Sequence, residues 1–352
     1  MRHALWLIVL AIACDRSPPR DEAPAPSSPG APAPAAPGCT IAPLPLRRPA
    51  PRRLVAIGDL HGDLAGARAA LRAAGAIDDR DRWIGGELVV VQTGDVLDRG
   101  DDERALLDLL ARLEAEARAA GGALVLLLGN HELMNAAGDF RYVTPAGFHA
   151  FDAVDAARRP GAVPLAGIPD QLRSRMAALG PGGSYARWLA QHAVVAIVGD
   201  TVFSHAGVLG GWTERVAAVN QATRCWLDGQ VTEPSPALGS DDSPVWTRAA
   251  AMPSVDGRSP ELGGGDGSAG GAGGKAPRGI DCTGVVAALA ALGVKRMVVG
   301  HTVQDHGITS ACDGTLWRID VGLSRHYGGP IEVLELVPGV PPRVITGARS
   351  PG

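Results

Sequence analysis

Five short polar segments constrain the fold of this chain more than any other feature: Gly58-Asp59-Leu60-His61-Gly62, Gly94-Asp95-Val96-Leu97-Asp98-Arg99-Gly100, Gly129-Asn130-His131-Glu132, Ser204-His205-Ala206-Gly207 and Gly300-His301-Thr302. The first three and the last each follow a short apolar run, such as Leu54-Val55-Ala56-Ile57 or Met297-Val298-Val299, which reads as a buried strand. Asp, His and Asn are thereby placed at strand-to-loop junctions, where a sheet can aim several side chains at one point. Four of the nine histidines fall inside these segments. Hard dications take oxygen ligands and borderline ones also accept imidazole, so the set is suited to holding two metal ions.

The intervening sequence alternates strand and helix patterns. Arg53 to Ile57, Glu87 to Thr93 and Ala123 to Leu128 read as strands, with helices expected over Leu64 to Ala74 and Asp101 to Ala119. In the longer helix Leu106, Leu109, Leu110, Leu113 and Ala117 recur at helical spacing and mark a core face. Asp101-Asp102-Glu103 at its start suits the positive end of the helix dipole. Residues 135–192 are less regular and are expected to form a helical cap. Val194 to Val198 and Thr201 to Phe203 read as paired strands around a Gly199-Asp200 turn, the second delivering His205. A short helix over Val285 to Leu292 and strands over Arg296 to Val299, Leu316 to Ile319 and Ile331 to Leu336 complete the pattern. Glycines dominate residues 256–279, which reads as a mobile insertion.

A formal charge of −4 across 352 residues argues against a general nucleic-acid or anionic-membrane binder, so no nucleic-acid partner is expected. Aromatics make up only 4%, so Val, Leu, Ile and Ala must build most of the core.

Residues 1–14 read as a targeting segment. Met1-Arg2-His3 gives a basic start, and the apolar run from Ala4 to Ala13 is too short to span a bilayer comfortably. Cys14 follows directly, as in a bacterial lipoprotein signal whose cysteine is lipidated, although Ala11 stands where a larger aliphatic residue is usual. An ordinary secretory signal cleaved near Ala13 is the alternative. Both readings export the protein, and the first ties it to a membrane. Residues 15–51 alternate Pro and Ala and read as a disordered tether, leaving 52–347 as the folded domain. The remaining cysteines, Cys39, Cys225, Cys282 and Cys312, permit two disulfides in three connectivities.

The ordered segments resemble those of the calcineurin-like metallophosphatases, in particular the phosphoprotein phosphatase branch. Met134-Asn135, Gly138-Asp139-Phe140-Arg141-Tyr142-Val143, Val245-Trp246-Thr247-Arg248 and Ile319-Asp320-Val321-Gly322 bring the resemblance closest to the bacterial Shewanella-like protein phosphatases. It runs from about Arg53 to about Val337. It implies an α/β fold (α+β by some schemes) of two packed mixed β-sheets flanked by helices, around a dinuclear metal centre. Asp59, His61 and Asp95 would hold one ion, and Asp95, Asn130, His205 and His301 the other, with Asp95 bridging. The ions would be divalent or trivalent manganese, iron or zinc.

The resemblance further implies hydrolysis of phosphomonoesters, most naturally of phosphorylated proteins, by in-line attack of a metal-activated hydroxide. His131, next to Asn130, is the expected general acid, with Asp98 holding its imidazolium. Arg99 is expected to grip phosphate oxygens, with Arg248 and Arg141 as further candidates. Thr247 stands where this branch more often carries tyrosine. Two other functions fit the same sequence: hydrolysis of a nucleotide polyphosphate resembling diadenosine tetraphosphate, and non-catalytic binding at the cell envelope. His149, His192 and His306 read as structural or solvent-exposed.

Overall fold

The computed structural model describes residues 38–152, 154, 162, 164–251 and 280–349. The expected signal over 1–14, residues 15–37 of the expected tether and the glycine-rich segment 256–279 lie outside the described residues.

Alternation along the strands builds a layered α/β fold. β2 (Leu54–Ile57), β3 (Val89–Gln92) and β4 (Ala123–Leu126) run parallel, and β10 (Glu332–Leu336) and β11 (Arg343–Thr346) add antiparallel to the β2 edge. A second sheet of six strands has the order β1-β5-β6-β7-β9-β8. In it, β1 (Arg47–Arg48) pairs in parallel with β5 (Val195–Val198), which forms an antiparallel hairpin with β6 (Thr201–Ser204). β7 (Arg296–Val299) runs parallel to β6 and to β9 (Leu316–Arg318), and β8 (Thr309–Ala311) closes the edge antiparallel.

Because side chains alternate across a strand, each strand feeds two cores. Leu54 and Ala56 of β2, Val91 of β3, Val125 of β4, Phe203 of β6, Val298 of β7 and Leu334 of β10 meet in one apolar layer between the sheets. Their neighbours Val55, Ile57, Val90, Leu124, Val202 and Met297 face outward into the larger core under the helices. Phe203 is fully buried in the inner layer, and truncation to alanine there costs about 3–5 kcal/mol.

Helix α1 (Leu64–Ala73) begins at Asp63, whose carboxylate accepts from the Gly66 amide at 2.8 Å, and buries Ala67, Ala70 and Leu71. Helix α2 (Glu103–Ala119) buries Leu106, Leu107, Leu109, Leu110 and Leu113 as the leucine spacing predicts. Glu103 differs from expectation: its carboxylate is wholly buried and turned toward the Asp98 loop. The seven-residue helix α3 (Asn130–Ala136) follows β4, and the middle of the chain supplies α4 (Pro145–His149), α5 (Asp170–Leu179) and α6 (Ser184–Leu189). Helices α7 (Val216–Leu227) and α8 (Cys282–Leu292) flank the six-stranded sheet.

The folded region starts earlier than the Pro/Ala composition suggests. Cys39 is disulfide-bonded to Cys225 on α7, Thr40 donates to the Gln230 side chain, and Gln221 and Arg224 donate to the carbonyls of Ile41 and Ala42. Arg47 and Arg48 then pair with Ile197 and Val198. Residues 39–48 are thus held by tertiary contacts that composition alone does not encode. Cys282 pairs with Cys312, which settles the connectivity. His149 is exposed beside Asp152, and His192 is buried against Glu114. No helix among the described residues is long and apolar enough to cross a membrane.

Candidate metal centre

The five segments converge. Asp59 and His61 leave the end of β2, Asp95 to Arg99 the end of β3, Asn130 and His131 the end of β4, His205 the end of β6 and His301 the end of β7. Asp59, His61, Asp95, Asn130, His131 and His205 are all buried. Asp95 stands at the middle: one of its oxygens lies 3.2 Å from His205 Nε2, 3.7 Å from His131 Nε2 and 3.8 Å from His61 Nε2. His205 Nε2 is also 2.9 Å from Asn130 Oδ1 and 3.1 Å from His301 Nδ1. Two overlapping groups of donor atoms result, one around His61 and Asp95 with His131, the other around Asp95, His205 and His301.

The backbone is strained where it turns into this point. Among the described residues eight non-glycines have positive φ, and five of them are His61, Asp95, Asp98, Arg99 and His301. Such conformations cost about 1–3 kcal/mol each and persist only where the surroundings hold them. Here Leu60 and His61 amides both donate to Asp95 O at 2.9 Å, and the Arg99 amide donates to Tyr142 O at 3.0 Å. The Glu132 carboxylate accepts from the amides of Gly129, Asp95, Val96 and Leu97 at 2.8–3.1 Å. Glycine is required at two junctions for close approach: a Cβ on Gly129 would collide with Asp95 Oδ1, and one on Gly300 with Asp59 Oδ1.

Each inward-facing ring has its tautomer set from behind. His61 Nδ1 donates to Leu97 O at 3.1 Å, His205 Nδ1 to Thr93 O at 3.0 Å and His301 Nε2 to Trp246 O at 3.1 Å. A carbonyl can only accept, so each ring in its neutral form keeps the lone pair of its opposite nitrogen for the centre, the form a metal requires. His131 is different. Its Nδ1 donates to the carboxylate of Asp98 at 2.6 Å.

The electrostatics separate the same residues. Burial, with the His131 charge, lowers His61 to about 3, and burial with the charges of His205 and Arg248 holds His301 well below its ordinary value. Burial alone would lower His131, but the charge of Asp95 and the Asp98 bond and charge raise it above the ordinary imidazole value. Burial and the charges of Asp320 and Asp95 push Asp59 well up, and burial lifts Asp320 to about 6. Crowded buried carboxylates beside neutral imidazoles are the donor set that a cation relieves, and the residues present fit divalent metal ions.

Two arginines flank the centre. Arg99 stacks over the Tyr142 ring at 4.4 Å and reaches His326 at 3.3 Å; its Nε has no hydrogen-bond partner among the described residues. Arg248 donates to Thr302 at 3.0 Å. No carboxylate pairs with either among the described residues. Arg141 is not brought in: its exposed guanidinium forks onto Asp139 at 2.9 and 2.7 Å. Its neighbour Tyr142 is the residue of that segment that lies against His131, at 5.1 Å between ring centroids. Glu132, Tyr142, Tyr327 and Asp320 carry no role in the sequence reading, although all stand in or beside segments that carry the resemblance, Tyr327 in His326-Tyr327-Gly328-Gly329. Tyr327 tilts over His61 at 5.5 Å.

Comparison with known proteins places this geometry. A model of the calcineurin-like phosphoesterase family matches residues 52–207. The chain is similar to Shewanella-like protein phosphatase 2 of Arabidopsis thaliana, 38% identical over 330 residues, covering 84% of this chain and 78% of that protein. It is 28% identical to Shewanella-like protein phosphatase 1 of Plasmodium berghei, over 79% of this chain and 69% of that one. Among solved structures, the cold-active protein-tyrosine phosphatase of a psychrophile Shewanella species superposes with a TM-score of 0.63, at 21% identity over 86% of this chain and 83% of that one. At that identity the likeness shows the fold.

Proposed function

The chain belongs to the calcineurin-like phosphoesterase family and is a hydrolase of that class; from this premise we propose that it is a metal-dependent protein phosphatase. The observation that carries the reading is the division among the histidines. His61, His205 and His301 each give an outer N–H to a backbone carbonyl and turn the other nitrogen to the centre, with burial holding His61 and His301 neutral, whereas His131 gives its outer N–H to the Asp98 carboxylate and is held toward its protonated form. Three rings are built as ligands and one as a proton donor.

In this reading Asp59, His61 and Asp95 would hold one ion, and Asp95, Asn130, His205 and His301 the other. Manganese, iron and zinc all suit such a mixed set. Bound there, the two ions supply an activated water and neutralise phosphate charge. Arg99 and Arg248 bind the phosphate oxygens from opposite flanks, Arg99 beside His61 and His131, Arg248 beside His301. His131 Nε2 delivers the proton to the departing oxygen, and Asp98 orients the ring and stabilises its charge. Tyr142 and Tyr327 lie over Arg99 at 4.4 and 5.5 Å, and their rings offer a face to phosphotyrosine.

We further place the protein outside the cytoplasm, lipid-anchored through Cys14. The Cys39–Cys225 and Cys282–Cys312 pairs support an oxidising compartment. Radiolabelled lipid retained by a Cys14→Ser variant would refute the anchor. The enzymatic reading is tested with phosphotyrosine and phosphoserine peptides beside diadenosine tetraphosphate. Faster turnover of the dinucleotide than of either peptide would overturn it.

A further inference from the structure

Behind the Asp98–His131 pair lies a buried polar cluster that the metal centre does not use. Arg175, on α5 of the cap, is completely buried. Its Nε donates to Asn135 Oδ1 at 2.7 Å, and its terminal nitrogens donate to both oxygens of Glu103 at 2.5 and 2.8 Å, to Gly147 O at 2.9 Å and to Asp98 Oδ1 at 3.3 Å. Because Arg175 can only donate, the Asn135 amide is fixed with its oxygen toward the guanidinium. Its Nδ2 then donates to Asp98 Oδ1 and to His131 O, both at 2.9 Å. Glu103 completes the ring by accepting from the Asp98 amide at 2.6 Å, at a residue whose φ is +68°.

We propose that Arg175 is a positioning residue for proton delivery, acting through Asn135, Glu103 and Asp98 to fix the ring of His131. This rests on the reading of His131 as proton donor. Asp98 has two oxygens. Oδ1 is held by Asn135 and Arg175, leaving Oδ2 for the His131 bond. Glu103 holds the strained backbone of Asp98, and Arg175 holds Glu103. Without the guanidinium, two carboxylates face each other in a buried site, and the Asp98 turn loses its restraint. A buried ion pair is in general replaceable by well-packed apolar side chains, so stability alone does not account for a five-bond guanidinium at this spot. The consequence is that the cap helix, which contributes no metal ligand, governs the geometry of the proton donor.

The leaving group distinguishes positioning from mere support. p-Nitrophenolate departs without a proton, whereas the alkoxide of a phosphoserine peptide needs one. Arg175→Lys and Asn135→Ala are compared with His131→Ala on both substrates, in full-length metal-loaded protein, with metal content and melting temperature recorded. Leu179→Ala, a buried α5 residue outside the cluster, is the structural control. His131→Ala should lose about 100-fold or more in kcat on the peptide and far less on the aryl ester. Arg175→Lys and Asn135→Ala should follow it in kind, with about tenfold or greater loss of kcat on the peptide, little on the aryl ester and unchanged KM. Leu179→Ala should lower the melting temperature and leave the ratio alone. If His131→Ala discriminates between the substrates and the other two lose both activities equally or not at all, Arg175 is structural. If His131→Ala itself shows no discrimination, the proton-donor reading falls first. Should Arg175→Lys fail to fold, Asn135→Ala carries the test.

Discussion

Removing the Cys39–Cys225 disulfide gives the most quantitative check on where the folded region begins. The bridge spans 186 residues, against 30 for Cys282–Cys312. The loop-entropy relation assigns the longer closure about 5 kcal/mol at 25 °C and the shorter about 3.6 kcal/mol. The double variant Cys39→Ser with Cys225→Ser should therefore lose about 5 kcal/mol of unfolding free energy. Cys282→Ser with Cys312→Ser should lose about 1.6 kcal/mol less, the difference set by the ratio of loop lengths. Guanidinium titration of metal-loaded protein measures both, at a fixed metal concentration so that ligand stabilisation is shared. The slope should steepen in each variant, because an unbridged chain exposes more surface on unfolding. Turnover should be unchanged in the first variant, whose cysteines touch no residue of the centre. A loss under about 1 kcal/mol, or the reverse order, would refute the docking of residues 39–48 against α7 as a restraint on the unfolded chain.

Three further outcomes follow from the site. Asp98→Asn should shift the alkaline limb of activity on alkyl phosphates to lower pH, because Asp98 helps raise His131. As His131 is raised in the folded state, the stability it contributes is present below its unfolded pKa and lost as pH rises through the folded one. The variant should therefore be destabilised chiefly on the acid side, and equal loss at high pH would contradict this. Asp95→Asn keeps shape and tolerates the positive φ, yet should lower metal content measured by elemental analysis together with turnover; full metal content would sink the bridging role. Arg99→Lys should reduce kcat/KM roughly 10- to 150-fold, the equivalent of about 1.5–3 kcal/mol for a charged hydrogen bond, while Arg141→Ala changes it less than about twofold. Comparable effects at both positions would show that Arg141 leaves Asp139 for the substrate.

Much of this architecture is legible in the chain because the strands that deliver ligands are apolar runs ending at a polar motif. β2, β3, β4 and β7 could be placed to within a few residues on that basis, and His205 through the hairpin ahead of it. The convergence of Asp59, His61, Asp95, Asn130, His131, His205 and His301 was also legible, since Asp, His and Asn at strand ends have few structural reasons to recur in that order, whereas Arg141 was expected at the site and pairs with Asp139 instead. What stayed hidden is held by tertiary contacts. Helix α7 buries Asn220, Thr223 and Arg224 on its inner face, which masks the apolar period; Asn220 there bonds the backbone of Val194 and Val195. Helix α3 is too short to show a period, so Glu132 reads as a motif letter rather than the clamp on four amides that it is. Residues 39–48 look like linker until Cys225 is seen beside them. Arg175 lies in a charged helix whose sequence gives no hint that one arginine turns inward.

The central claim is that this constellation holds two metal ions and hydrolyses phosphomonoesters through them. Its most direct test is p-nitrophenyl phosphate turnover on the purified protein, with metal content measured before chelation, after chelation and after adding manganese back. The account predicts activity that vanishes with the metal and returns as occupancy approaches about two ions per chain. Turnover that survives complete metal removal, or a folded protein with both sites filled that hydrolyses no phosphomonoester, would contradict it.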